Sequence, residues 1–113
     1  MLMTKWVAGG VTAAKGFKAA GVTAGLKRSK KSDVCVLIAD QPARAAAVFT
    51  ANRVQAAPVV ISEQRVRNGK AQAVLINSGN ANCMTGKQGH NDALKLGHCL
   101  AEALNIKDSH VLL

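Results

Sequence analysis

The sequence predicts a mixed α/β fold, a mixed sheet with flanking helices, and three observations carry that prediction. Two continuous apolar runs, "DVCVLIAD" at Asp33–Asp40 and "AQAVLINSG" at Ala71–Gly79, have the length and aliphatic content of strands buried on both faces. From about His90 the period changes to that of a helix, with Ala93, Leu96, Gly97, Leu100 and Leu104 falling on one side. The last residues, "SHVLL", read as the first half of a further strand.

Taken in order, "KGFKAAGVTAGL" (Lys15–Leu26) predicts a strand whose glycines let another backbone approach closely. The basic cluster "KRSKK", Lys27–Lys31, follows as a solvated turn between two apolar segments. Pro42 breaks the second strand. The alanines of "ARAAAVFTAN" (Ala43–Asn52) permit a helix, while Val48, Phe49 and Thr50 pull its end towards a strand. Pro58 opens "PVVISEQRV", where Val59, Val60 and Ile61 favour a strand and Ser62–Asn68 a helical turn ending at Gly69. In the late helix Asn91 is the expected N-cap, with Lys95 and Glu102 facing out. Gly97 costs about 1 kcal/mol relative to alanine there, which places it where the helix touches the sheet.

The length of 113 residues suits one modest core. A domain rarely finishes on a bare apolar strand, since ladder and face both need partners. Residues 1–113 are therefore expected to form one fragment, with a poorly defined start over 1–10 and no second domain. Trp6, Phe17 and Phe49 are all the aromatics, so Ala, Val and Leu must build a closely packed core. No apolar run approaches the ~20 residues of a membrane helix, and no membrane partner is expected. The start is too short in apolar residues for a secretory signal. Cys35, Cys83 and Cys99, odd in number and irregularly spaced, fit a reducing cytoplasm, each as a small buried hydrophobe.

The formal charge of +9 raises the question of nucleic acid. A nucleic-acid binder of this size would add a stacking platform or a recognisable helical motif, and neither is visible. The charge still suits an acidic companion, so a small basic RNA- or protein-binding module stands as the alternative function. A chain serving only as a structural or folding subunit is a third. For metal, His90, His98 and His110 lack the spacing of a ligand pair, and no C-x-x-C occurs. Ser78 follows a strand as in a nucleophile elbow, but the first glycine of that motif is missing. "TGKQG" lacks the G-K-[ST] ending of a phosphate loop. What stands out is "VLINSGNANCMTG" (Val74–Gly86), dense in amides and glycines. Asn77, Asn80 and Asn82 offer donors and acceptors, and Gly79 and Gly86 allow unusual backbone angles. The same residues also make ordinary Asx-turns.

Three ordered stretches, "GGVTAAKGFKAAGVTAGL", "AAVFTANRVQAAPV" and "AVLINSGNANCMTG", together resemble the N-terminal part of the ornithine acetyltransferase (glutamate N-acetyltransferase) family of arginine biosynthesis. The resemblance runs from about Val7 to Leu113. Departures are small: Ala14 stands where proline is usual, Ala51 where a second threonine is, and Cys83-Met84 where Ala-Cys is.

The resemblance implies an enzyme that moves acetyl from N-acetylornithine to glutamate, some members also taking acetyl-CoA, with no resident cofactor. Such precursors cleave themselves into α and β chains that assemble as α2β2 or larger heteromers. A threonine at the new β-chain N-terminus is the nucleophile of a ping-pong reaction, and a Thr-Gly pair is the oxyanion hole. By the resemblance both lie beyond Leu113, so no catalytic residue is assigned here and the 113 residues alone are expected to be inactive. Asn77, Gly79, Asn80, Asn82 and Gly86 are expected to support the active site, with Asn80 and Asn82 hydrogen-bonding behind it.

Overall fold

A computed structural model describes residues 3–113. Strands β1 (Phe17–Val22), β2 (Val34–Arg44), β3 (Lys70–Asn77) and β4 (Val111–Leu112) lie in that spatial order in one sheet. Helix α1 (Ala57–Val66) precedes β3, and helix α2 (Gly86–Leu104) carries the chain from β3 to β4. β1–β2 and β2–β3 are antiparallel, and β3–β4 is parallel. A parallel pair needs a crossover, and α2 supplies it.

The expected strands form without full burial on both faces: β2 is half-buried from Val34 to Ile38, and β3 alternates. Ala71, Ala73 and Leu75 of β3 are buried while Ile76 is half-exposed. Ala73 joins Ala101 of α2 and Val111 in a core flanked by Ile38, Leu100, Leu104 and Ile106. The residues are small, as the scarcity of aromatics requires. On the opposite face Phe17, Leu37, Val74 and Leu112 surround a shallow hollow of about 180 Å³. β1 is exposed along its length as the edge strand.

Pro42 does not end β2. The register steps from Ile38↔Ala73 to Ala43↔Ala71, so Pro42 sits in an irregularity where its missing N–H costs no ladder bond. The stretch after Arg44 is neither helix nor strand. Ala45 donates its N–H to Gly69 O at 2.9 Å, and Thr50 and Asn52 close local turns through their side chains. Side-chain bonds of this kind compete with helix.

Val59, Val60 and Ile61 lie in α1, not in a strand. Pro58 occupies its first turn, where a proline lacks nothing the helix needs. Burial of Ile61 and Ser62 against the rest of the fold outweighs the small helix penalty of β-branching.

Helix α2 starts at Gly86, earlier than expected, and Asn91 lies inside it, exposed. Its buried positions are Gly89, Ala93, Gly97 and Ala101, a stripe of small residues four apart. Leu96 is 48% exposed. A Cβ on Gly97 would come within 2.8 Å of Arg65 Nη1 and 3.5 Å of Leu113, so this glycine admits an α1 side chain and packs beside the residue that follows β4. Asn105 ends the helix in the left-handed region (φ 51°), and Ile106 N–H caps Ala101 O at 3.0 Å. "SHVLL" supplies the short β4 after a 3₁₀ turn, Asp108–His110. Of the cysteines, Cys35 is half-buried, but Cys83 and Cys99 are exposed: Cys83 lies in a loop in which only Asn82 is withdrawn from water, and Cys99 on a helix whose inward positions belong to Gly89, Ala93, Gly97 and Ala101. No helix among the described residues is long and apolar enough to cross a membrane.

Candidate functional site

The loop from Asn77 to Thr85 leaves β3 at the end of the sheet and borders a cleft of about 860 Å³. Ala56 and Pro58 of the α1 start, Gln88, Asp92 and Leu96 of α2, and Leu26 and Leu113 complete its walls. Three of the expected site residues, Asn77, Asn80 and Asn82, line this space together. Gly79 and Gly86 are not in its walls.

Asn77, Gly79, Asn82 and Gly86 have definable tasks, whereas Asn80 is exposed and enters through its backbone carbonyl, not through the side-chain hydrogen bond expected of it. Asn77, last of β3, donates from Nδ2 to Asn80 O at 3.1 Å and closes the turn. Ser78 donates its N–H to Asp33 O at 2.8 Å, which fixes the loop to β2. Gly79 adopts φ +99°, and a Cβ there would lie 2.8 Å from Lys27 Cγ and 3.3 Å from the Leu26 carbonyl. Only glycine fits both conditions. Gly86 adopts φ +64° in open space and begins α2.

Asn82 is the knot of the loop. It donates from Nδ2 to Gly89 O at 2.7 Å, and its Oδ1 accepts the Thr85 hydroxyl. Its backbone carbonyl accepts the Ala57 N–H at 3.2 Å, so one residue joins the starts of both helices. The sequence reading missed Gly89, on which a Cβ would overlap Thr85 Oγ1 and Asn82 Oδ1. Its spacing of four from Ala93, Gly97 and Ala101 was the available signal.

Behind the cleft, Asp33 organises the basic turn. Its carboxylate accepts N–H groups from Ala24 and Leu26 at 2.6 Å each and from Lys27 at 2.9 Å. These donors, Ala24 foremost and then Lys27, hold its pKa below the ordinary carboxylate value, against burial, which acts to raise it. The turn is exposed as expected, except that Lys27 is half-buried and packs on Gly79. Chemically the site offers shape and fixed amides. Among the described residues lining the cleft there is no histidine or lysine to activate Thr85 or Cys83, and the Thr85 hydroxyl is committed to Asn82.

A mixed sheet backed by two helices is an architecture shared with a solved arginine-biosynthesis protein and a solved acetyltransferase. A crystal structure of the arginine biosynthesis bifunctional protein ArgJ from Bacillus halodurans superposes on 92% of this chain with a TM-score of 0.88 and 43% identity. The crystal structure of an ornithine acetyltransferase from Mycobacterium tuberculosis, complexed with ornithine, covers 91% with a TM-score of 0.86 and 40% identity. In sequence, arginine biosynthesis bifunctional proteins ArgJ from Caldanaerobacter subterraneus subsp. tengcongensis and Thermobifida fusca are 51% and 54% identical over 87% and 84% of the chain. Residues 18–113 match the family model described as the ArgJ family. The chain belongs to the ArgJ family. It spans about a quarter of the length of those curated relatives and just over half of each solved chain.

Proposed function

We propose that this chain forms part of an acetyltransferase that moves acetyl from N-acetylornithine to glutamate in arginine biosynthesis. The observation that carries this reading is the 40% identity, over 91% of the chain, to an ornithine acetyltransferase solved with ornithine. In this reading a threonine hydroxyl outside these 113 residues attacks the acetyl carbonyl. The C–N bond breaks, ornithine leaves with the proton, and an acetyl ester remains on the enzyme. The glutamate amine then attacks that ester and regenerates the hydroxyl. Acetyl-CoA is an alternative donor to the same ester. The nucleophile belongs to a β chain cleaved from the same precursor, and the complete assembly works in the cytoplasm as a heteromer. Asn77, Gly79, Asn80, Asn82 and Gly86 hold the cleft in shape and take no part in bond changes.

A chimera tests the proposal. Residues 18–113 replace the matching segment of the Bacillus halodurans protein, and ornithine release from N-acetylornithine is measured with and without glutamate. Glutamate-dependent turnover supports the reading, with the isolated 113-residue chain inactive. A folded chimera that releases no ornithine, beside an active parent, overturns it.

A further inference from the structure

Helix α1 reaches residues 108–113 with two side chains. The Ser62 hydroxyl donates to the Leu113 carbonyl at 2.9 Å and accepts the Leu113 N–H at 2.8 Å. It does the work of a neighbouring strand residue, satisfying donor and acceptor of one peptide position. One turn further on, Arg65 donates from Nη1 to the Val111 carbonyl at 2.7 Å and from Nη2 to Asp108 Oδ1 at 2.8 Å. The ladder of β4 to β3 consists of two residue pairs, Ala73↔Val111 and Val74↔Leu112. Four hydrogen bonds through Ser62 and Arg65 thus fasten α1 to Asp108, Val111 and Leu113, beside the pairing of β3 with β4.

Both side chains are withdrawn from water: Ser62 is 5% exposed and the Arg65 side chain 9%. Their hydrogen bonds are correspondingly strong, and those of the guanidinium are charge-assisted. Gly97 of α2 makes the path, since any Cβ there would press on Nη1. A buried hydroxyl and guanidinium are costly ways to fill space, and an apolar side chain would pack without that cost. What they add is a fixed position for the backbone they hold.

That position matters to the cleft. Leu113 is one of its walls, and Ala56 and Pro58 at the start of α1 form another. The first turn of α1 is in turn fastened to the Asn loop through Ala57 N–H and Asn82 O. One helix thus grips the rim at Asn82 and the wall at Leu113. We infer that Ser62 and Arg65 are positioning residues that set the width of the cleft through the backbone of Val111 and Leu113. The kinetic consequence rests on the acetyl-transfer reading; the geometric one does not.

Two measurements test this. In the 113-residue chain, amide exchange at Leu113 is followed by NMR, with nuclear Overhauser contacts between the Leu113 methyls and Gly97, beside which one of those methyls lies. Ser62→Ala speeds exchange at Leu113 by about tenfold or more and changes those contacts, while Ser62→Thr, which keeps the hydroxyl, restores both. In the chimera, Ser62→Ala lowers kcat about tenfold with KM for N-acetylornithine little changed, because a displaced wall misaligns bound substrate. Ser62→Thr recovers kcat, and Arg65→Lys, which keeps the charge but not the fork, loses it in the same direction as Ser62→Ala. A merely structural role would lower the melting temperature and leave kcat alone at a permissive temperature. Leu113 exchange and contacts unchanged in Ser62→Ala, or parental kcat in an active chimera, overturns the inference. A chimera inactive before any substitution sinks the acetyl-transfer reading instead, and the NMR result then decides the clamp by itself.

Discussion

The carboxylate of Asp33 accepts the backbone N–H of Leu26 at 2.6 Å, and Leu26 is a wall of the cleft. A buried charge at the root of β2 therefore shapes a surface on the far side of the turn. The same turn presses Lys27 and Leu26 against Gly79, so the basic turn and the Asn loop meet at one crowded point.

Stability is expected to depend on the ionisation of Asp33. Its folded-state pKa is lowered, so its contribution is present above the unfolded value and is lost as pH falls through the folded one. Urea midpoints of the native chain should fall as pH drops below about 4, the ordinary carboxylate range. Asp33→Asn should be less stable at pH 7 and converge with the native chain in acid. Parallel pH profiles for the two proteins would refute the account.

The two loop glycines are expected to differ in cost. Gly79→Ala meets both a positive φ and a filled space, and should destabilise by about 1–3 kcal/mol. Gly86→Ala has the strained angle but open surroundings, and should cost about 1 kcal/mol. Chemical denaturation of the two variants ranks them. Equal costs would mean that the Lys27–Gly79 contact has no energetic weight.

Asn82→Ala should remove about 1–3 kcal/mol of stability, because Gly89 O and the Thr85 hydroxyl lose their partner. In an active chimera the same change should lower kcat about tenfold to a hundredfold and still allow an acetyl-enzyme to form. Single-turnover trapping with labelled N-acetylornithine measures this. A variant with full kcat and native stability would remove Asn82 from the site.

Replacing Arg28, Lys30 and Lys31 together by serine should change stability by no more than about 0.5 kcal/mol, since all three are exposed. Lys27 stays in place because its side chain packs on Gly79. Submicromolar, sequence-selective RNA binding by the native chain at physiological salt, lost in this variant, would contradict the reading of the cluster as a solvated turn.

What could be seen in the sequence follows the range of the forces involved. β3 and the body of α2 were legible because their periodicity is local, and so was the turn at Lys27–Lys31. The α1 helix was not, because Val59, Val60 and Ile61 favour a strand locally and the burial that overrides them comes from contacts distant in the chain. Asn82 was legible as a residue type dense in hydrogen-bonding groups. Its partner Gly89 was hidden, since a glycine inside a helix shows its purpose only when its neighbours are known. Ser62 and Arg65 left no trace at all: their partners lie 51 and 46 residues away.

The spacing of Gly89, Ala93, Gly97 and Ala101 has a consequence for how α2 can vary. Successive residues are ~100° apart around a helix axis, so turning α2 by one position would bring another set inward. In one sense of rotation that set is His90, Leu94, His98 and Glu102; in the other it is Gln88, Asp92, Leu96 and Leu100. Neither could enter a seam that accepts only hydrogen or methyl. The helix behaves as a keyed shaft with a single azimuth. Gln88, Asp92 and Leu96 consequently face the cleft whatever they are, and their identities are free to drift or be selected without the wall turning away.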